Sequence, residues 1–292
     1  MSTRSFTILV NPVAGHGRAP HRALPVAKQL REAGAVAEIV TTTSPTDAAE
    51  KAAACAAKDH VAVAVGGDGM VALVAGAVVR SKGVLGIVPS GRGNDFARQL
   101  GIDADATPED AAKRLLEGAE RAVDVIETAD RVVIGSVYSG VDSRASVILD
   151  QARFVPAALQ YRYAAVRALA TYEPIDFTVT VDGEQHSHRG ANVVVANSGY
   201  YGSGMHIAPD AAVDDGELDI VMIGAAGRLE LVRSMPKVYD GSHKELDEVT
   251  ILRGREVTVE ATSAVDAYAD GDRLAELPVT VKVAPGALRV IG

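Results

Sequence analysis

The residues with the most chemical potential lie in two glycine-rich stretches, Gly66-Gly67-Asp68-Gly69 and Pro89-Ser90-Gly91-Arg92-Gly93-Asn94-Asp95. Glycine admits positive φ and lets bare backbone N–H groups approach a ligand, so each stretch can cradle an anion where a helix begins. Asp68 does not belong in a simple phosphate cradle. Its carboxylate repels phosphate unless a divalent cation lies between them or it accepts a proton during reaction, and the combination points to metal-assisted phosphoryl transfer. The competing reading is that both are ordinary strand-to-helix turns, with Asn94 and Asp95 serving as a helix cap.

The neighbouring pattern says what must position them. An apolar run at residues 61–65 precedes the first stretch, a helical pattern from Met70 follows it, and a second apolar run at 84–88 leads into the other stretch. This predicts a βαβ unit whose two turns fall at the carboxyl end of a parallel sheet, where ligands bind. Upstream, a strand at 6–10 runs into Asn11-Pro12-Val13-Ala14-Gly15-His16-Gly17, followed by a helix over 19–32, a strand over 36–41 and a helix ending near 58 behind Ser44 and Pro45. The order β-α-β-α-β-α-β is that of a parallel sheet with helices on its faces. A further helix is expected at 108–117. From residue 121 strands dominate, at 121–127, 131–138, 176–181, 191–196, 218–223, 248–251, 256–261, 264–269 and 279–283, interrupted by helices near 144–152, 156–171 and 228–237. At 292 residues two domains are the better prior. We divide the chain into an α/β nucleotide-binding domain over 1–125 and a mainly antiparallel substrate domain over 126–284, with 285–292 a candidate strand returning to the first.

Composition excludes several classes. A net charge of −9 argues against broad nucleic-acid binding, which needs basic surface to displace counterions. Cys55 is the only cysteine, so no intramolecular disulfide forms, a reducing compartment is expected, and the thiol reads as buried and structural. No secretory h-region precedes residues 6–10, and no apolar run approaches the ~20 residues of a membrane-spanning helix. A cytoplasmic protein with at most peripheral membrane contact is expected. There is no Gly-Lys dipeptide and hence no P-loop, Pro20 follows Gly15-His16-Gly17 in place of a dinucleotide fingerprint, and the zinc and esterase motifs are missing. His186 and His188 share one face of an expected strand and read as exposed. Residues 156–172 mix apolar, basic and tyrosine side chains, as in an amphipathic core helix or one that approaches lipid headgroups.

Asn11-Pro12-x-x-Gly15, Gly66-Gly67-Asp68-Gly69 and Pro89-Ser90-Gly91-x-Gly93-Asn94-Asp95 stand in this order at successive strand ends. They are joined by Pro209-Asp210-Ala211 before Asp214-Asp215-Gly216-Glu217-Leu218, and by Asp270-Gly271-Asp272. Together these resemble the diacylglycerol kinase catalytic domain family, related to sphingosine kinases and more distantly to NAD kinase and phosphofructokinase. The resemblance implies a Rossmann-like N-terminal domain of the phosphofructokinase and NAD-kinase type, a β-sandwich C-terminal domain, and an ATP site between them. It implies that Asn11, Pro12, Gly15 and Thr42 line the nucleotide, that Gly66, Gly67, Asp68 and Gly69 cover the phosphates, and that Ser90, Gly91, Asn94 and Asp95 complete the rim. Asp68 would act through magnesium and ordered water. Asp270 or Asp272 would be the base that takes the proton from a lipid hydroxyl, with diacylglycerol the favoured acceptor and phosphatidic acid the product. A structural magnesium would sit on Asp215 and the backbone oxygens of Val213 and Glu217. Family members are often dimers, and a membrane lipid substrate implies contact with the inner face of the membrane.

The chain departs from the family pattern. Met70 replaces the usual threonine after Gly69, Ala72-Leu73 replaces Asn-Glu, and Arg92 replaces a second threonine. Met70 donates no hydroxyl hydrogen bond, and Arg92 is expected to supply the missing phosphate contact through its guanidinium. Arg92 thus joins the expected nucleotide-binding set. Two other readings remain open: a kinase for another alcohol, sphingosine-like or a polyol, and a nucleotide-binding regulator with impaired turnover.

Overall fold

Burial of strands on both faces dictates the first half of the molecule. The computed structural model describes residues 4–12, 18–152, 155 and 159–292, and the chain divides into one unit of Met1–Val125 with Pro285–Gly292 and another of Ile126–Ala284. In the first unit β1 (Ser5–Val10), β2 (Ala37–Thr41), β3 (His60–Gly66) and β4 (Leu85–Pro89) pair in parallel in the order β2-β1-β3-β4. β1, β3 and β4 are buried almost throughout, as near-continuous apolar runs covered by helices on both sides must be. The helices are α1 (Arg18–Glu32), α2 (Pro45–Ala57), α3 (Asp68–Ser81), α4 (Asp95–Gln99) and α5 (Pro108–Glu117). α1 and α5 share a core with Phe6, Ile8, Val63 and Val65 through Leu30 and Leu115, while α2 and α3 pack together beside β3. Ser44 and Thr107 accept the N–H groups of Asp47 and Asp110 as N-caps, each followed by proline at the first helical position. β5 (Glu120–Glu127) leads to the boundary, and at the end of the chain Val290 pairs in parallel with Leu85.

The second unit is a β-sandwich with one helical face. Its strands are β6 (Val132–Val133), β7 (Ser136–Gly140), β8 (Ile175–Val181), β9 (Glu184–Ala196), β10 (Tyr200–Tyr201), β11 (Met205–His206), β12 (Leu218–Gly224), β13 (Val249–Gly254), β14 (Glu256–Ala261), β15 (Asp266–Ala269), β16 (Asp272–Glu276) and β17 (Val279–Ile291). Its helices are α6 (Val141–Gln151), α7 (Gln160–Ala170) and α8 (Arg228–Asp240). β9 organises the sheet, pairing on one edge with β8 and then β7, and on the other with β12. Alternation sends Val193 and Val195 into the sandwich with Phe177, Leu218, Ile220 and Val281, and Val194 and Ala196 to the opposite face with Tyr138, Tyr201 and Tyr268.

Three expectations change. The strand expected over 131–138 breaks into β6 and β7, because the N–H groups of Ile134 and Gly135 go to the Asp270 carboxylate instead of a strand. The runs at 279–283 and 288–291 form one strand, β17, belonging to the second unit up to Ala284 and to the first from Pro285. His186 and His188 are half-buried rather than exposed: the His188 ring stacks on Phe177 and its Nε2 lies 3.1 Å from the Ile223 carbonyl oxygen.

Gly86 illustrates how tightly α5 seats on the sheet, since a Cβ there would lie 2.7 Å from Leu115 Cδ2 and 3.1 Å from Val63 Cγ2. Gly86→Ala is therefore expected to cost about 1–3 kcal/mol in urea unfolding. Combining it with Leu115→Ala should cost less than the sum of the two single changes, because the overfilled space is relieved.

Candidate active site

Parallel pairing gathers the carboxyl ends of β1 to β4 on one rim of the first unit. Val10 lies opposite both Thr41 and Val65, and Gly66 opposite Pro89, so Asn11, Thr42, Gly67 and Ser90 each continue from a strand end there. The chain passes to one side of β1 to make β2 and to the other to make β3, and this change of direction leaves a crevice at the rim. Asn11 is half-buried and Pro12 exposed; Gly15 lies outside the described residues.

Asp68, the first residue of α3, holds the two glycine-rich loops together. Its Oδ2 accepts the Asn94 N–H at 2.9 Å and its Oδ1 the Asp95 N–H at 2.5 Å, capping α4 from across the loop. Asn94, at φ +51°, closes its own loop by accepting the Gly91 N–H at 2.8 Å and donating from Nδ2 to the Gly91 carbonyl at 3.1 Å. Gly67 and Gly91 meet backbone to backbone: a Cβ on Gly91 would lie 2.4 Å from Gly67 Cα. Each N–H deprived of the Asp68 acceptor would cost roughly 1–3 kcal/mol if left buried and unpaired, so Asp68 has a structural duty beside any chemical one.

Two features of the rim are not explained by contacts within the chain. A Cβ at Gly69 would meet no heavy atom within 4 Å, and Gly69 has no positive φ. The Ser90 hydroxyl is buried without a hydrogen-bond partner. Free space above the first turn of a 14-residue helix, next to an orphaned hydroxyl, suits an incoming anion such as a nucleotide phosphate. Thr42 is engaged otherwise: its N–H and hydroxyl both donate to the Val10 carbonyl, at 2.9 and 3.3 Å. Met70 packs under Gly66, where an added Cβ would lie 2.7 Å from Met70 Cβ, and Arg92 is exposed on the loop. Asp95 is buried, 7% exposed.

In the second unit Asp270-Gly271 forms the two-residue turn joining β15 to β16, with φ of +48° and +94°. The Asp270 carboxylate turns inward, its oxygens each accepting one N–H at 2.9 Å, from Ile134 and from Gly135. Gly135 is glycine because a Cβ would lie 2.6 Å from Asp270 Oδ1. Burial pushes the Asp270 carboxyl up to about 6, opposed by these N–H groups and by Arg131. Asp272 behaves differently. Its side chain is 80% exposed, 3.6 Å from the Arg131 guanidinium, which also donates to the Ala269 and Asp272 carbonyls. Two acids two residues apart therefore face different surroundings, because the left-handed conformation of Asp270 interrupts the strand alternation. The pair Ile134-Gly135 was not among the expected site residues; a lone glycine inside an apolar run was its signal.

The acidic loop at 214–217 does not present an open donor set. The Arg253 guanidinium pairs with the Asp215 carboxylate, lies 3.1 Å from Glu217 and 3.8 Å from Asp219, and Asp215 also accepts the Glu217 N–H at 3.1 Å. The expected magnesium on Asp215, Val213 and Glu217 does not fit this arrangement, since a cation is already there in the form of arginine. Asp219 beneath it is pushed up to about 6 by burial, with Arg253 opposing. Among the described residues no group of three or more His, Cys, Asp or Glu is placed to hold a metal ion.

Residues 5–128 match the diacylglycerol kinase catalytic domain and residues 135–292 the YegS C-terminal NAD kinase beta sandwich-like domain. The chain is 33% identical to a diacylglycerol kinase of Mycobacterium tuberculosis (strain ATCC 25618 / H37Rv), covering 98% of this chain and 94% of that protein. It is 24% identical to a diacylglycerol kinase of Bacillus subtilis (strain 168), over 93% and 90%. A crystal structure of a diacylglycerol kinase from Bacillus anthracis str. Sterne shares the fold with a TM-score of 0.78 at 21% identity, over 100% of this chain and 97% of that one. The chain is a phosphotransferase of the lipid kinase class. It belongs to the diacylglycerol kinase catalytic domain family.

The Arg253 guanidinium, reaching the acidic loop from β13, has a measurable consequence. The melting temperature should be the same in EDTA and in excess magnesium, whereas Arg253→Ala should melt lower and recover part of the loss when millimolar magnesium is added; a wild-type melting point that falls in EDTA would contradict it.

Proposed function

We propose that the chain transfers the γ-phosphoryl group of ATP to the hydroxyl of diacylglycerol, giving phosphatidic acid. The observation that carries this reading is Asp270, a carboxylate held on two backbone N–H groups with its pKa brought to about 6, which suits a general base working near neutrality. In this reading Asn11, Pro12, Thr42, Gly66, Gly67, Gly69, Ser90, Gly91, Arg92, Asn94 and Asp95 form the nucleotide rim, and Ser90 and the first turn of α3 bind phosphate oxygens. The loop-to-loop clamp made by Asp68 keeps that rim preorganised. Magnesium bound with ATP supplies charge neutralisation, and Asp68 is the residue proposed to hold it through water. Asp270 takes the proton of the acceptor hydroxyl as the new oxygen–phosphorus bond forms and the bond to the leaving ADP breaks. Asp272, exposed and beside Arg131, is left a supporting part. The acceptor is assigned by the names of the relatives, and a sphingosine-like alcohol or a polyol would use the same base. Action on a membrane lipid brings with it cytoplasmic residence with contact at the inner face of the membrane; a homodimer is the assembly expected from the family.

Purified protein with magnesium and labelled ATP should phosphorylate diacylglycerol in mixed micelles. Inactivity toward every lipid alcohol would overturn the assignment. Asp270→Asn should lower kcat by about 10²–10⁴-fold with little change in the KM for ATP, while Asp272→Asn stays near wild type. Because the base must be ionised, log kcat/KM should rise with unit slope below a pH of about 6 and level off above it.

A further inference from the structure

The helical face of the second unit carries an arrangement that neither the fold nor the chemistry above requires. α8 has no buried residue along its 13 positions. Leu231, Val232 and Met235 lean half-buried on the cluster around Leu169 and Tyr172, which leaves Leu229, Arg233 and Lys237, spaced four apart, on one outward stripe. Leu229 is 62% exposed. α7 repeats the pattern, with Leu159 50% and Val166 49% exposed beside exposed Arg167, and α6 adds exposed Arg144 and Val147. The three helices converge at one point: Arg144 donates to the Thr171 carbonyl at 3.3 Å and Arg228 to the Tyr172 carbonyl at 3.1 Å, both at the C-terminal end of α7.

The charge on this face is as unusual as its apolar content. The chain as a whole carries −9, yet Arg144, Arg167, Arg228, Arg233 and Lys237 are all here, and among the described residues none makes an ion pair with a carboxylate. Against them, among the described residues, stand exposed Glu230 and Asp240 of α8 and exposed Glu173 just past α7, while Asp142 of α6 is turned inward to Tyr201 and Asn192. Arg167 donates to the Tyr163 hydroxyl at 2.6 Å, so these cations have neutral partners and no carboxylate. Exposed leucine and valine flanked by arginine and lysine without carboxylate partners fit a surface that is negatively charged outside and hydrocarbon just beneath. A protein surface of the same net sign as this chain would supply the charge but not the apolar depth.

We propose that α6, α7 and α8 form the surface by which this protein docks on an anionic lipid bilayer, with Leu159, Val166 and Leu229 entering the interface and Arg167, Arg233 and Lys237 meeting headgroup phosphates. This names the membrane contact of the lipid kinase reading and rests on it for biological purpose, but its test is separate. Because the chain has no tryptophan, Leu229→Trp provides a single fluorescent reporter on an exposed position. Its emission should shift to the blue with phosphatidylcholine vesicles containing phosphatidylglycerol, much less with phosphatidylcholine alone, and the shift should weaken as salt is raised. The double variant Arg233→Glu/Lys237→Glu should lower partition onto the anionic vesicles about tenfold or more, while keeping wild-type turnover of diacylglycerol dispersed in detergent micelles. An unmoved reporter, equal binding to both vesicles, or unaltered partition of the double variant overturns the docking surface even if the kinase assay succeeds. A shift that follows protein concentration without vesicles also overturns it, by assigning the face to a second copy of the chain. Vesicle binding as described in a protein inactive on every lipid alcohol would leave the surface standing and remove the kinase reading instead.

Discussion

A carboxylate that accepts two consecutive backbone N–H groups is the interaction on which both halves of this protein depend. Asp68 does this for Asn94 and Asp95, and Asp270 for Ile134 and Gly135. In each case the acid ties two segments far apart in sequence. N–H donors favour the ionised form while burial opposes it. At Asp270 burial is the larger effect, so the carboxyl is held near neutrality instead of in the ordinary acidic range.

The glycines around these acids serve different ends. Gly67 and Gly91 exist for backbone contact between loops, and Gly135 for the approach of Asp270. Gly69 alone among the glycines of 66–69 meets nothing, beside a buried Ser90 hydroxyl without a hydrogen-bond partner. A motif that reads as a run of equivalent glycine-rich positions is therefore divided in space between close backbone contact and open room.

Charge is distributed with similar economy. Where the family pattern leads one to expect a metal among acids, Arg253 sets a guanidinium from the chain itself among Asp215, Glu217 and Asp219. On α6 to α8, by contrast, the exposed Arg144, Arg167, Arg228, Arg233 and Lys237 make no ion pair with a carboxylate among the described residues, although Glu230 and Asp240 stand on the same helices.

The alternation of apolar runs and capped helices in residues 5–117 determined the parallel sheet and the rim to which its loops belong, because strand and helix periods are local properties of the chain. The ordered motifs Gly66 to Gly69, Ser90 to Asp95 and Asp270 to Asp272 likewise marked the family. Position along the chain could not say that Asp270 and Asp272 diverge, that Ile134 and Gly135 leave their strand to bind an acid, that the runs near 279 and 288 are one strand, or that Arg253 reaches Asp215. Each of these depends on which distant backbone group or charge arrives beside a residue, and that is decided by packing over separations of tens to more than a hundred residues.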